Sequence, residues 1–211
     1  MMQVQCEGIR KSYGATHVLR GVDLKLDSGT VTALIGRNGA GKTTLIRILA
    51  TMLRAAGGRY LLGELDAGRQ TGKARALVGY LGHESMLDGT LTVRENLRMF
   101  GNLYGVAEPA RRADALVERF GAARFADFPV AELSRGQEQA AALCRALVHE
   151  PALLLLDEPS TALDTAAQER LWAMAREEAG RGAVVVFSTH DHDSARRVAD
   201  RVLELADGHI A

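Results

Sequence analysis

Short apolar runs alternate along the chain with stretches in which apolar residues recur every three or four positions, and the two patterns predict strands and helices in turn. Val31 to Ile35, Ala152 to Leu156, Ala183 to Ser188 and Val202 to Leu205 are leucine or β-branched runs of strand length. The second and third lack polar alternation, which suits strands covered on both faces of a sheet. Helix signals lie between them. Lys42 to Leu53 reads as a helix after a glycine-rich turn, and Thr92 with Glu95 makes a capping box that opens a helix Val93 to Tyr104. Pro109 suits the first turn of a helix ending near Gly121, and Thr165 is placed to cap a helix that stops at Gly180. From about His83 to Glu132 the pattern holds helices and no convincing strand. The expected organisation is therefore an α/β sheet core, 1–82 and 136–211, with a helical subdomain, 83–135, inserted in it.

Composition narrows the class. The chain has 211 residues, 47% of them hydrophobic, 25% charged and 4 of them proline, which is the make-up of a compact globule. Lys plus Arg (26) balances Asp plus Glu (26), so no basic surface advertises a nucleic-acid partner, and none is expected. Cys6 and Cys144 lie far apart without metal-ligand spacing, which suits a reducing cytosol. No apolar run approaches the roughly 18 residues of a spanning helix, and Met1 to Gly8 lacks the features of a signal peptide, so a chain neither spanning nor exported is expected.

The candidate chemistry begins at Gly36-Arg37-Asn38-Gly39-Ala40-Gly41-Lys42-Thr43, followed by Thr44, between a predicted strand and a predicted helix. Glycines there let backbone N–H groups converge on phosphate oxygens at a helix N-terminus, Lys42 supplies a cation for the terminal phosphates, and the Thr43 hydroxyl can ligate Mg²⁺. This is a P-loop. Farther on, Leu153-Leu154-Leu155-Leu156-Asp157-Glu158 ends a buried strand in two acids. Alternation along an extended chain sends their side chains different ways, so that Asp157 can reach the Mg²⁺ shell and Glu158 can orient and deprotonate a water in line with a γ-phosphate. Kinases, GTPases and many ATPases all remain open at this point, although no Asn-Lys-x-Asp guanine motif is present.

Leu133-Ser134-Arg135-Gly136-Gln137 precedes the acids, Thr161-Ala162-Leu163-Asp164 follows them, and Ser188-Thr189-His190-Asp191 follows the next strand. In this order the motifs resemble the nucleotide-binding subunit of ATP-binding cassette (ABC) transporters over nearly the whole chain. The resemblance implies a single ABC ATP-binding domain, a P-loop NTPase (RecA-like) sheet domain with an inserted helical subdomain, that hydrolyses ATP with Mg²⁺. It further implies that Ser134, Gly136 and Gln137 clasp the γ-phosphate on a second copy, giving an ATP-dependent homodimer. Tyr13 would stack on adenine, His190 would contact the γ-phosphate and the attacking water, and Asp164 would couple the two sites. Partners would be transmembrane permease subunits at the cytoplasmic face of the cell membrane, where the chain is peripheral. Tyr80-Leu81-Gly82-His83, the start of the helix at Thr92, and Pro129-Val130 look most like the ATPase subunit of the haem exporter of cytochrome c biogenesis; drug, lipid or polysaccharide exporters, and less closely a soluble ABC protein, are the alternatives.

Two departures from the family pattern stand out. Arg135 replaces the usual small residue, and Glu138-Gln139-Ala140 stands where basic residues are frequent. The loop Gly79 to Glu84 occupies the position of the Q-loop without a glutamine. Mg²⁺ prefers oxygen, so Glu84 is expected as the metal or water contact and His83 as a hinge or partner contact. A groove lined by some of Met86, Leu87, Phe100 and Tyr104 is expected to meet the permease, with core packing the competing role for Phe100 and Tyr104.

Overall fold

The computed structural model describes residues 2–161 and 163–210. Its strands are β1 (Gln3–Tyr13), β2 (Thr16–Asp27), β3 (Val31–Ile35), β4 (Gly57–Leu62), β5 (Leu65–Asp66), β6 (Val78–Leu81), β7 (Leu153–Asp157), β8 (Val184–Thr189), β9 (Arg201–Ala206) and β10 (His209–Ile210). Its helices are α1 (Lys42–Leu49), α2 (Thr71–Arg75), α3 (Val93–Leu103), α4 (Pro109–Arg119), α5 (Arg135–Leu147), α6 (Thr165–Gly180) and α7 (His192–Val198).

The strands without polar alternation form the middle of a six-stranded sheet of order β10-β9-β3-β8-β7-β6, parallel from β9 to β6. Both faces of these strands are covered, and their alternation divides the side chains between two cores. Leu154, Leu156, Val185 and Phe187 pack with α3 to α6, whereas Leu153, Leu155, Val184 and Val186 pack with α1 and a second, antiparallel sheet of order β2-β1-β4-β5. In this strand order the carboxyl ends of β3, β8 and β7 lie side by side, Ile35 opposite Thr189 and Ser188 opposite Asp157. Open α/β sheets bind their ligands at such strand ends.

Between β6 and β7 the chain runs through α3, α4 and α5 with only the isolated bridge Thr92–Pro129 between extended segments. The capping box at Thr92 and Glu95 forms, and Pro109 opens α4. Asn96, fully buried, accepts from the Asp88 N–H at 2.8 Å and donates to the Asp88, Leu91 and Thr92 carbonyls, which orders the loop entering α3.

α3 ends one residue earlier than expected, at Leu103, and two other helix boundaries differ in ways the local bonding explains. α1 stops at Leu49, four residues early, because Thr51 takes a left-handed backbone (φ 58°) and the Met52 and Leu53 N–H groups turn back to the Arg47 carbonyl. The cap of α6 is Asp164, whose Oδ1 accepts the Ala167 N–H at 2.7 Å; Thr165 is the first helical residue.

Candidate functional site

The loop from β3 into α1 wraps close under β2. Gly41 has φ 106°, and a Cβ there would sit 2.9 Å from Val18 Cγ1, so only glycine fits. Lys42 follows as the first residue of α1 and is 6% exposed. Its ammonium donates to the Gly36 carbonyl at 2.8 Å and to the Arg37 carbonyl at 3.4 Å, and lies 3.6 Å from Glu158 Oε1.

Asp157 and Glu158, at the end of β7, point to different partners. Asp157 is 2% exposed; its Oδ1 accepts the Thr43 hydroxyl at 3.1 Å and the Ser188 hydroxyl at 2.7 Å. Its Oδ2 is buried without a hydrogen-bond partner among the described residues. An orphaned buried carboxylate oxygen costs several kcal/mol unless a cation or donor meets it. Glu158 adopts a left-handed backbone (φ 51°), a local cost of about 1 kcal/mol, and its N–H is held by Ser188 Oγ at 2.9 Å. Its carboxylate turns to Lys42 and to His190, whose Nδ1 lies 3.0 Å from Oε2.

Lys42, Glu158 and His190 converge on a cleft of about 450 Å³ lined also by Val18, Asn38, Gly39, Gly41, Thr43, Thr44, His83 and Thr161, and Asp157 stands behind it, bonded to Thr43. The cleft joins backbone amides at a helix start with a lysine, a hydroxyl, a carboxylate and an imidazole, which is the equipment for taking a polyphosphate. Gly36 and Arg37 stand behind the lining as carbonyl acceptors for Lys42, and Ala40 closes a turn through its N–H to the Arg37 carbonyl at 3.1 Å. For Mg²⁺ the donor set fits: an oxygen-preferring ion needs few protein ligands when phosphates supply the rest, and Thr43 Oγ1 beside the unpartnered Asp157 Oδ2 provides them.

Several expected residues sit elsewhere. Tyr13, 51% exposed at the end of β1, does not line the cleft; Lys11 Nζ lies 5.5 Å from its ring, and Val18 forms the nearby wall instead. Glu84 is also off the cleft, and His83 is on it. The Tyr80 phenol beside Arg47 raises that guanidinium's pKa against the opposing effect of burial, with Asp157 and Glu84 adding to the same field. Glu84 thus lies within reach of Arg47 electrostatically, not among the groups lining the phosphate cleft.

Ser134 caps α5 in a full capping box: its N–H donates to Gln137 Oε1 at 2.9 Å and its Oγ accepts the Gln137 N–H at 3.4 Å. Ser134, Gly136, Gln137 and Asp164 line a separate cavity of about 550 Å³ that shares no lining residue with the P-loop cleft. A narrower crevice of about 80 Å³ passes between Arg135, Glu138 and Gln139 on one side and Asp157, Glu158 and Pro159 on the other.

Sequence reasoning missed Ser188, which bridges the two acids, and Val18 and Thr161, which line the cleft. The register Asp157 opposite Ser188 could have suggested the first, had the strand order been known. Thr161 opens the motif that ends at Asp164, which could have suggested it; nothing local marks Val18.

Fold and cleft together define a P-loop nucleotide-binding domain of α/β type. The family model described as ABC transporter matches residues 19–161, and the chain belongs to that family, with the fold of an ABC ATPase domain. It is 37% identical to the daunorubicin resistance ATP-binding protein DrrA2 of Streptomyces coeruleorubidus over 97% of this chain and 64% of that protein, so it spans just under two thirds of that relative's length. Identity to the Nod factor export ATP-binding protein I of Rhizobium sp. (strain N33) is 35%, over 97% of this chain and 68% of that one. The lipoprotein-releasing system ATP-binding protein LolD 1 of Rhodopseudomonas palustris is 34% identical, over 99% and 98% of the two chains. Among solved structures, an ATP-binding subunit of an ABC transporter superposes with a TM-score of 0.91 at 29% identity, covering 98% of this chain and 87% of that one. A dimeric ATP-binding cassette in a post-hydrolysis state bound to ADP and Pi gives 0.87 at 27% identity, covering 98% and 96%.

Proposed function

We propose that this chain is the ATP-hydrolysing subunit of an ABC exporter and powers a separate transmembrane permease. The observation that carries the reading is one cleft lined by Lys42, Thr43, Glu158 and His190, with the buried Asp157 bonded to Thr43 behind its wall.

The reaction follows from the partners these groups have now. Lys42 is held by two carbonyls and a carboxylate, contacts that a triphosphate's terminal oxygens replace as ATP enters. The N–H groups of Asn38 to Thr44 bind the phosphate chain at the start of α1. Thr43 and Asp157 would hold Mg²⁺, which would supply charge neutralisation on the phosphates. Glu158 orients a water and accepts its proton while the water oxygen bonds to the γ-phosphorus and the bond to the β-phosphate oxygen breaks, releasing ADP and phosphate. His190, bonded to Glu158 through Nδ1, keeps its Nε2 for the γ-phosphate or the water.

Ser134, Gly136 and Gln137 lie on a cavity apart from the P-loop cleft, which supports their acting on a second copy. The solved relative that is dimeric supports the same two-fold arrangement. In such a dimer Asp164, beside the signature residues, is the link between sites.

The permease is an inferred partner, and with it peripheral attachment at the cytoplasmic face of the membrane. No helix among the described residues is long and apolar enough to cross a membrane. Of the expected docking residues, Phe100 packs inward under Arg145, whose guanidinium lies 5.8 Å from its ring, and Tyr104 stacks on His149 at 3.8 Å. Leu87 packs against the same core, so Met86, 41% exposed, carries the docking role better.

Cargo is read at the level of exporters of drugs, lipids or glycans. Haem export rests on Tyr80-Leu81-Gly82-His83 together with the helix start at Thr92 and Pro129-Val130, and the first of these has a packing reason of its own: the Tyr80 phenol lies against Gly82, where a Cβ would collide with it. The names of the relatives, drug resistance, Nod factor export and lipoprotein release, support the broader reading. The test is phosphate release from Mg·ATP by the purified chain, then recovery of the chain from native membranes with a polytopic protein that stimulates this turnover. A chain without turnover, alone or with its membrane partner, contradicts the proposal.

A further inference from the structure

The loop carrying Glu158 is tied down at its start by two hydrogen bonds from different elements. Ser188 Oγ on β8 accepts the Glu158 N–H at 2.9 Å, and one residue on, the Pro159 carbonyl accepts a hydrogen bond from Gln139 Nε2 at 2.6 Å. Proline has no N–H, so this carbonyl is the only backbone group at that position that can be held. Farther along, Gln168 of α6 donates to the Leu163 carbonyl at 3.1 Å and secures the loop's other end. Gln139 is half-buried, stands at the start of the second turn of α5, and lines the crevice between that helix and the acid pair.

The consequence lies in what α5 carries. Its first turn presents Ser134 and Gly136, and its second turn holds the loop of Glu158 in the same chain. We propose that Gln139 is a positioning residue for Glu158, tying the general base to the signature helix so that the carboxylate is aligned only while α5 is seated against it. The assignment rests on the ATPase reading above. Glu158 has a left-handed backbone that a glutamate does not favour, so its geometry depends on the bonds around it. Proton transfer and in-line attack tolerate little displacement; misplacement by about 1 Å costs on the order of a hundredfold. The hydrogen bond of Gln139 goes to backbone, and the residue does not line the P-loop cleft, so its loss should act on turnover more than on ATP binding.

The experiment compares the parent with Gln139→Leu, which keeps the volume and loses the donor, and Gln139→Lys, which restores an N–H donor on a flexible stem. Turnover and KM for Mg·ATP, binding of a fluorescent ATP analogue and thermal midpoint are measured for each. Gln139→Leu is expected to lower kcat about tenfold with KM and nucleotide affinity within about twofold, and Gln139→Lys to recover most of the loss. Parent-like kcat in Gln139→Leu would overturn the assignment while leaving the ATPase reading intact. A joint loss of kcat, affinity and thermal midpoint that Gln139→Lys does not repair would also overturn it, since the residue would then be part of the packing only. Absence of turnover in the parent would overturn the ATPase reading itself, and the assignment with it.

Discussion

Lys42 Nζ and Glu158 Oε1 lie 3.6 Å apart across the cleft, so the cation proposed to meet phosphate and the carboxylate proposed to activate water pair with each other. ATP must separate them. Lys42→Ala removes a charge-assisted contact worth about 2 kcal/mol and is expected to weaken ATP binding at least about tenfold. Glu158→Gln frees Lys42 from its ion pair and is expected to bind ATP as tightly as the parent or more so. Titration with a fluorescent ATP analogue separates the two, and equal losses would contradict the assigned roles.

Ser188 is the residue whose importance the strand register reveals. Its hydroxyl donates to Asp157 and accepts from the Glu158 N–H, and it is fully buried. Ser188→Ala leaves both groups short of a partner and is expected to destabilise the fold by about 1–3 kcal/mol. It should also raise the Mg²⁺ concentration needed for half-maximal turnover, because Asp157 loses a bond that orients it. Urea denaturation and a Mg²⁺ titration check the two effects.

The core of the sheet was legible because β7 and β8 are buried on both faces and so read as unbroken apolar runs. The P-loop and acid pair were legible because their chemistry is local in the chain. The antiparallel sheet was legible only in part: Val22, Leu24 and Leu26 of β2 alternate with Asp23, Lys25 and Asp27, whereas β1 loses its period of two at the register shift between Cys6 and Ile9. Tyr13 was assigned by family resemblance and Glu84 over His83 by the preference of Mg²⁺ for oxygen, and only the folded chain shows Val18 and His83 on the cleft wall and Tyr13 and Glu84 off it.

His83 and Glu84 therefore make opposite predictions. With His83 lining the cleft and Glu84 off it, Glu84→Gln is expected to match the parent in Mg²⁺ titration. His83→Gln, which offers an amide oxygen to a hard cation, should lower the Mg²⁺ concentration for half-maximal turnover. A shift in Glu84→Gln alone would return the metal contact to the glutamate.

Ser134 caps α5 and is proposed to contact phosphate across a dimer, and substitution can separate the two. Ser134→Asp keeps a good helix cap while placing a negative charge at the proposed trans-phosphate site. In a Glu158→Gln background it should leave thermal stability close to that of the single variant and abolish the ATP-dependent dimer seen by size-exclusion chromatography. A dimer that survives would contradict contact with phosphate across the interface.

His149 gives the fold a pH dependence unrelated to catalysis. Burial lowers its pKa from 6.5 to about 4, with the Val78 carbonyl opposing and Arg145 and Arg112 adding to the fall. Between those values the unfolded chain binds the proton and the folded chain does not, so stability should fall as pH drops through this window, by about 1–3 kcal/mol in all. His149→Phe preserves an aromatic face for Tyr104 and should flatten the slope between about pH 7 and about pH 5, measured by urea denaturation.

The most direct measurement is phosphate release from saturating Mg·ATP by the parent and by Glu158→Gln, with bound ATP counted in the same samples. The parent should release phosphate only with Mg²⁺. Glu158→Gln should hold ATP and release phosphate at least about a hundredfold more slowly, since it keeps the shape of the side chain and loses the base. Undiminished release by Glu158→Gln would contradict the account, because the proton would then leave the water by a route in which Glu158 has no part.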